Sequence, residues 1–259
     1  MRKALKRLSW EAGSTAVDED SLPVETPVAL VYNGISHVVT MATPAHLEDM
    51  ALGFSLTEGI LDTPEQLYDC ELVEQDEGLE LNLQIASEAF HKLKHRRRNL
   101  TGRTGCGLCG VESLSLAIPE LTPVSGEVNI EHNAIQRARE ELYAQQKPGK
   151  SGGVHAAVWC SQDGNIELLR EDVGRHNALD KLLGALVTAD CSPQGFVLVT
   201  SRASYEMIAK VVSRNISILA ALSAPTSLAI QLAEASNLTL VAHVKDGRHG
   251  VYTHEHRVI

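Results

Sequence analysis

Residues 196–200 are Phe196-Val197-Leu198-Val199-Thr200, a short apolar run that is typical of a buried strand. A segment with helical spacing of its apolar residues follows over Tyr205 to Val212, and a second apolar run follows over Ile216 to Leu222. The pattern continues with a predicted helix over Thr226 to Ala235 and a predicted strand over Leu238 to His243. Strands that alternate with helices of about ten residues favour a partly parallel sheet covered on both faces.

The segment before this alternation extends the same predicted domain. Ala134 to Gln145 and Asn177 to Val187 have the periodicity of helices, and Val154 to Cys160 and Ile166 to Arg170 that of strands. We therefore expect residues 126–259 to form an α/β domain, a mixed sheet with helices on both faces.

The first part of the chain has a different order of predicted strands and helices. Asn33-Gly34 separates two β-rich runs, which is the strongest short signal for a hairpin. The other predicted elements are a helix over Pro44 to Thr57, strands over Tyr68 to Val73 and Leu79 to Ile85, and a helix that includes Ala89 to Leu93. Residues 1–125 are therefore expected to form a smaller N-terminal α+β lobe.

The composition is that of an ordinary globular protein, with 44% hydrophobic and 22% charged residues in a chain of 259. The formal net charge of −10 argues against general affinity for nucleic acid. One basic run, His91 to Arg98, is a local exception; it fits either a solvated helix end or a docking patch for an acidic partner or a phosphorylated ligand. No apolar run reaches about 18 residues and no signal-peptide core follows the basic N-terminus, so we expect no membrane segment and a cytoplasmic location.

The segment Thr101 to Gly110 carries Cys106 and Cys109 among glycines at positions 102, 105, 107 and 110. Glycine tolerates backbone dihedrals that other residues rarely adopt, so the sequence predicts a mobile loop with weak order when no partner is bound. Five cysteines in a chain of this length are no disulfide framework, and a Cys-x-x-Cys pair then indicates metal, redox or sulfur-transfer chemistry. Cys160 lies in an apolar predicted strand and is expected to be buried.

Polar and charged residues cluster in four loops at the ends of predicted strands or the starts of predicted helices. The loops are Ser151 to Ala157, Arg170 to Asn177, Thr200 to Ser204 and Lys245 to Gly250. Ligands of open α/β sheets bind outside the carboxyl ends of strands, and hydroxyls, backbone amides and guanidinium groups suit an anion. The four loops together predict a pocket for a phosphorylated or nucleotide-like ligand.

Each of these residues also has a purely structural explanation. The ones that fit helix caps are Asp172, Asn177, Ser201 and Ser204. Arg175 fits a structural ion pair, and His155 fits a satisfied histidine of the core. The clustering of all four loops favours a binding role, although no single residue decides it.

Three motifs together resemble the formate dehydrogenase accessory sulfurtransferases, the FdhD family. They are the stretch Arg170 to Lys181, the loop Thr104 to Gly110 and the segment Ser201 to Met207. The resemblance runs from Pro23 to the end of the chain.

In that family, the protein receives sulfur from a cysteine desulfurase as a cysteine persulfide. It passes the sulfur to the molybdenum or tungsten bis-guanine-dinucleotide cofactor, where it becomes the terminal sulfido ligand that formate dehydrogenase requires. The resemblance implies a cytidine-deaminase-like core and a homodimer. It also implies that the molybdenum cofactor is bound transiently as a substrate, with no tightly bound cofactor and no metal, so that GDP is a mimic of its nucleotide ends.

The resemblance also assigns roles to residues of this chain. Cys106 is expected to carry the persulfide, with Cys109 assisting it. The nucleotide end of the cofactor is expected at His243, Val244, Lys245, Asp246, Gly247 and Arg248, and the strand-end loops add Ser201, Arg202, Arg175, His176 and Asn177 as further candidates.

An alternative keeps Cys106 and Cys109 as zinc ligands, in a structural or deaminase-like site. Zinc deaminases carry His-x-Glu upstream of Pro-Cys-x-x-Cys. Here His155-Ala156-Ala157 lacks the glutamate, and the cysteine pair lies upstream and lacks the proline. A structural zinc site needs two more ligands, and the sequence has no second Cys-x-x-Cys.

Overall fold

The computed structural model of the protein describes residues 2–98, 121–146 and 153–259. The strands are β1 (Arg2–Glu11), β2 (Ser14–Pro23), β3 (Thr26–Tyr32), β4 (Ile35–Ala42), β5 (Leu67–Gln75), β6 (Gly78–Ile85), β7 (His155–Ser161), β8 (Ile166–Asp172), β9 (Gly195–Val199), β10 (Ile218–Ala221), β11 (Thr239–Lys245) and β12 (Arg248–Val251). The α-helices are α1 (Leu47–Thr57), α2 (Ser87–Arg98), α3 (His132–Gln145), α4 (Arg175–Ala185), α5 (Tyr205–Ser213) and α6 (Ser227–Ala235).

A six-stranded mixed sheet with the order β12-β11-β10-β9-β7-β8 forms the larger part of the molecule. Strands β9, β10 and β11 are parallel, and the other pairs are antiparallel. Alternate side chains of each strand point to opposite faces, so α4, α5 and α6 pack on one face and α3 packs on the other. The predicted mixed α/β sheet with helices on both faces is therefore confirmed.

A smaller four-stranded sheet with the order β4-β3-β6-β5 precedes it, and α1 and α2 pack against it. The predicted hairpin turn joins β3 to β4, with Asn33 at φ 46° and Gly34 at φ 80°. Two consecutive positive φ angles suit the twist of the flanking strands, which explains why Asn-Gly occupies this turn. The N-terminal α+β lobe is thus present as predicted.

Helix α1 joins the two sheets because it packs directly on α4. A Cβ atom added at Gly53 would lie 1.8 Å from the backbone oxygen of Asp180, and one at Gly184 would lie 1.9 Å from that of Asp49. Two glycines therefore bring the helix backbones into contact, which no larger residue would allow at this separation.

Several boundaries differ from the sequence prediction, and one hairpin was not predicted at all. The β1–β2 hairpin was not predicted, because apolar side chains such as Leu8, Trp10 and Val17 lie exposed on it and no buried face marks it. Helix α4 begins at Arg175 rather than Asn177, since the amide of Ala178 already donates to the carbonyl of Gly174 (2.9 Å). Arg248 was predicted in a loop but starts β12, which pairs with β11. The division of the chain at residue 125 stays a prediction.

Candidate functional site

The parallel strands β9, β10 and β11 end at one edge of the large sheet, and three of the predicted loops meet there. The amide of Thr226 donates to Ala203 (3.0 Å), which ties the loop after β10 to the loop after β9. The amide of His243 donates to Ser223 (3.1 Å), which ties the end of β11 to the same loop. The carboxyl edge of the sheet is therefore a continuous surface of backbone loops, the place where ligands of such sheets bind.

A cavity of about 250 Å³ opens at the β11 end of this surface, lined by His243, Lys245, Arg248 and His249. The ladder between β11 and β12 is irregular between Ala242 and Lys245, and His243 has a φ of 53° within that irregularity. Two permanent cations and two imidazoles share the cavity, a donor set that suits a phosphate or another anion.

The remaining residues of the segment 243–248 have other surroundings. The Val244 side chain is buried in the core, so only its backbone is available to a ligand. Gly247 adopts a φ of 64° at the turn between β11 and β12, and Asp246 beside it pairs with Arg139 of α3 at 3.3 Å. The hairpin thus presents its cations at the pocket while its turn faces α3.

The starts of α4 and α5 meet farther along the same edge. His176 Nε2 lies 2.9 Å from Glu206 Oε2, and Arg175 lies 3.8 Å from the same oxygen. The hydrogen bond from His176 is the largest cause that lowers the pKa of Glu206, and the nearby positive charges lower it further. These contacts make Glu206 the centre of a charged cluster, a role that the sequence did not reveal.

The serine loop between β9 and α5 lies beside this cluster. Ser201 is buried and its hydroxyl donates to the carbonyl of Arg202 (3.1 Å), whereas the Arg202 side chain is exposed. The Ser204 hydroxyl is buried and has no hydrogen-bond partner among the described residues. Ser204 is the N-cap residue of α5, as its structural explanation expects, but no hydrogen bond joins its hydroxyl to the first turn of the helix.

His155 lies at the start of β7, beside Arg175 and His176. Burial lowers its pKa, and Arg175 and His176 lower it further. His155 is therefore neutral at neutral pH and is able to accept or donate a hydrogen bond at this edge.

Asn177 and Asp172 bind the N-terminal lobe instead of facing the pocket. The Asn177 amide donates to the carbonyl of Met41 (2.8 Å) and to Asp172 (3.1 Å). Asp172 in turn accepts from the amide of Gly174 (2.8 Å), a turn just before the helix. The expectation that Asp172 or Asn177 caps a helix is wrong, because Gly174 is the N-cap residue of α4 and no side chain caps it. Both side chains have structural contacts of another kind.

Cys106 and Cys109 lie outside the described residues, as do Ser151 and Gly152. Among the described cysteines, Cys160 is fully buried as predicted. Burial raises the pKa of Cys70 to about 11, and burial also raises the pKa of Cys160 and of Cys191. These three side chains are therefore protonated thiols at neutral pH and poor sulfur nucleophiles.

Within the described ranges, no group of three or more His, Cys, Asp or Glu side chains is placed to hold a metal ion. In the same part of the chain, no helix combines the length and the apolar character needed to cross a membrane.

The comparison with known sequences matches residues 23–259 to the family described as FdhD/NarQ. This chain belongs to the FdhD/NarQ family. Its β1–β2 hairpin lies almost wholly before the matched residues.

Individual relatives agree with that membership. The chain is 51% identical over 252 residues to the "Sulfur carrier protein FdhD" of Cupriavidus necator, covering 96% of this chain and 87% of that one. It is 52% identical over 237 residues to the protein of the same name from Acinetobacter baylyi, covering 90% and 86%. The crystal structure of a candidate formate dehydrogenase accessory protein from Desulfotalea psychrophila has a TM-score of 0.75 over 100% of this chain and 99% of that one, at 22% identity. At that identity the structural likeness concerns the fold alone.

Proposed function

We propose that this protein is a sulfur carrier that takes sulfur from a cysteine desulfurase on Cys106 and delivers it to the molybdenum bis-guanine-dinucleotide cofactor for formate dehydrogenase. The observation that carries the proposal is the cationic pocket at His243, Lys245, Arg248 and His249, in a member of the FdhD/NarQ family. The relatives named sulfur carrier proteins support the sulfur chemistry.

The loading step is a thiol exchange. The Cys106 thiolate attacks the outer sulfur of the desulfurase persulfide, the S–S bond of the donor breaks, and the desulfurase cysteine leaves as a thiolate. Cys106 then holds the transferred sulfur as a persulfide, and Cys109 assists. Arg103 and the basic run that begins at His91 precede Cys106 in the sequence, and we propose that these cations favour its thiolate form, because a nearby cation lowers a thiol pKa.

The delivery step requires the cofactor to be held while the sulfur moves. The outer persulfide sulfur passes to the metal of the substrate, which supplies the two electrons that reduce it to a sulfido ligand, and Cys106 leaves as a thiolate. Lys245 and Arg248 would bind the diphosphate of one guanine nucleotide, with Arg202 and the cluster of Arg175 and His176 as further contacts along the edge.

We propose that the protein acts as a homodimer in the cytoplasm.

Mass spectrometry tests the loading step directly. The full chain is incubated with a cysteine desulfurase and cysteine, and the peptides are mapped. We expect one added sulfur atom on the Cys106 peptide and none on the peptides of Cys70, Cys160 and Cys191. Wild-type protein that gains no sulfur at Cys106 would contradict the proposal.

Metal analysis of the purified protein distinguishes the sulfur carrier from the alternative in which Cys106 and Cys109 bind zinc. A stoichiometric zinc that disappears in a Cys106→Ser, Cys109→Ser variant would favour a metal site at this pair. A carrier without bound zinc, loaded with sulfur at Cys106, is the expected result.

Calorimetry with GDP tests the cofactor pocket. We expect Lys245→Ala and Arg202→Ala each to weaken GDP binding by about tenfold, since each removes a charged contact to phosphate. Lys6→Ala is the matched control, because Lys6 is an exposed lysine of the β1–β2 hairpin and precedes the residues that match the family. Unchanged affinity in both pocket variants would place the nucleotide site elsewhere.

A further inference from the structure

The turn of the β11–β12 hairpin is held by α3, a helix to which neither the motifs nor the family resemblance gives a role. Besides the pair of Arg139 and Asp246, three contacts link the two elements: His132 Nδ1 lies 2.8 Å from His249 Nε2, Gln136 Nε2 lies 2.9 Å from His249 Nδ1, and the amide of Gly247 donates to Gln136 Oε1 at 3.1 Å. His132 and Gln136 are four residues apart, so they lie on one face of α3. Helix α3 therefore holds the hairpin that carries Lys245 and Arg248, in addition to the hydrogen bonds between the two strands of the hairpin.

The donor and the acceptor in each of these three hydrogen bonds follow from the bond made by the Gly247 amide. A backbone amide only donates, so the Gln136 atom that faces Gly247 is the carbonyl oxygen. The Gln136 amide nitrogen therefore faces His249 and donates to Nδ1, which carries no proton. Neutral His249 then has its proton on Nε2 and donates it to His132 Nδ1. The two ring planes differ by 28° with centroids 5.0 Å apart, which fits rings joined edge to edge by this bond.

We propose that Gln136 and His132 are positioning residues that lock His249 in its neutral Nε2–H tautomer and thereby hold Lys245 and Arg248 at the nucleotide pocket. The inference rests on the proposed function, because the hairpin needs a fixed position only if the pocket binds the cofactor. His249 is the link, since its ring both lines the pocket and receives the contacts from α3.

The surroundings of His249 favour the neutral ring. Burial lowers its pKa, and His132 lowers it further. The charged and titratable groups around it are His132 and Arg139 of α3, and His243, Lys245, Asp246 and Arg248 of the hairpin, with Asp246 paired to Arg139. A protonated His249 has no acceptor for the Gln136 amide, so acid pH breaks the chain of hydrogen bonds.

Nuclear magnetic resonance of the full chain with ¹⁵N-labelled histidine measures the tautomer. We expect wild-type His249 to show an unprotonated Nδ1 and a protonated Nε2 at pH 7.5. The Gln136→Glu variant retains an acceptor for Gly247 but has no donor for His249, so its Nδ1 should become protonated. A wild-type His249 with its proton on Nδ1 would overturn the proposal.

Calorimetry with GDP then connects the tautomer to the pocket. Gln136→Met removes both contacts of Gln136 without adding charge, and we expect GDP to bind about tenfold more weakly. His132→Ala should weaken binding and His132→Asn should restore it, because the asparagine oxygen replaces the Nδ1 acceptor. Gln145→Met is the matched control, since Gln145 lies on the same helix and bonds only to Glu141 among the described residues.

The outcomes separate the two proposals. Wild-type protein that binds no GDP would overturn the nucleotide pocket and with it the positioning role. Wild-type binding together with unchanged affinity in Gln136→Met and His132→Ala would overturn the positioning role alone and leave the proposed function in place.

Discussion

The cysteines differ in the chemistry expected of them, because their surroundings differ. Cys70, Cys160 and Cys191 are each held as thiols by burial, which raises their pKa values. We expect Cys106→Ala to abolish sulfur loading and formate dehydrogenase activation. Serine or alanine at each of the three described positions should leave both intact, with Cys160→Ser the most destabilising because it puts a hydroxyl into a closed apolar site. Activation at the wild-type level by Cys106→Ala would refute its role.

Glu206 gives a pH-dependent prediction at the same scale. Its folded-state pKa is lowered, first by the hydrogen bond from His176, below the ordinary value of 4.5. A lowered carboxyl pKa stabilises the folded state above the unfolded-state value and loses that contribution as pH falls through the folded-state value. The unfolding free energy of wild-type protein should therefore drop more steeply below pH 4.5 than that of Glu206→Gln, measured by denaturant titration between pH 3 and 7. Parallel pH profiles would show that the carboxylate contributes nothing.

At the scale of the element, the crossing of α1 and α4 depends on two glycines. A methyl group at Gly53 or Gly184 meets backbone atoms at 1.8 Å and 1.9 Å, and a helix backbone has no flexible end to move aside. We expect Gly53→Ala and Gly184→Ala each to destabilise the protein by about 3 kcal/mol, since the helices must separate. Gly126→Ala is the control, because its nearest neighbour is a serine hydroxyl at 3.4 Å. Equal losses of unfolding free energy in all three variants, measured by chemical denaturation, would contradict this account of the crossing.

At the scale of the whole molecule, a buried ion pair connects the N-terminal lobe to the large sheet. Lys181 and Asp172 are fully buried with their charged atoms 2.6 Å apart. Both bind the backbone of Thr43, whose amide donates to Asp172 (2.9 Å) and whose carbonyl accepts from Lys181 (2.8 Å). The end of β4 is thereby fixed beside the start of α4, where Arg175 and His176 belong to the site.

Breaking this pair should loosen both regions together. We expect Lys181→Met to lower the unfolding free energy by about 3–5 kcal/mol, because it leaves the Asp172 charge buried without its partner. Asp172→Asn combined with Lys181→Met should cost less than the sum of the two single changes, since the double variant buries no lone charge. Additive effects in this double-mutant cycle would show that the two charges act independently.

Much of the architecture was encoded in short windows of sequence. The alternation of apolar runs and helical periodicity predicted β9 to β11 and α5 and α6 within a few residues, and Asn33-Gly34 predicted its turn. Local propensity and side-chain periodicity operate over a few consecutive residues, so they are visible before the chain folds. The motifs around Arg170, Cys106 and Ser201 also identified the family, which the comparison confirmed.

The remaining features arise from contacts between residues far apart in the chain. Periodicity does not reveal that Gly53 meets Gly184, that Glu206 binds His176, or that Gln136 orients His249. These partners are 30 to 131 positions apart in the sequence, and only the crossing of helices and the order of strands brings them together. The sequence by itself determined the elements and the family of this protein, whereas the tertiary structure decided which side chains face the pocket, because their partners are set by topology and not by neighbours along the chain.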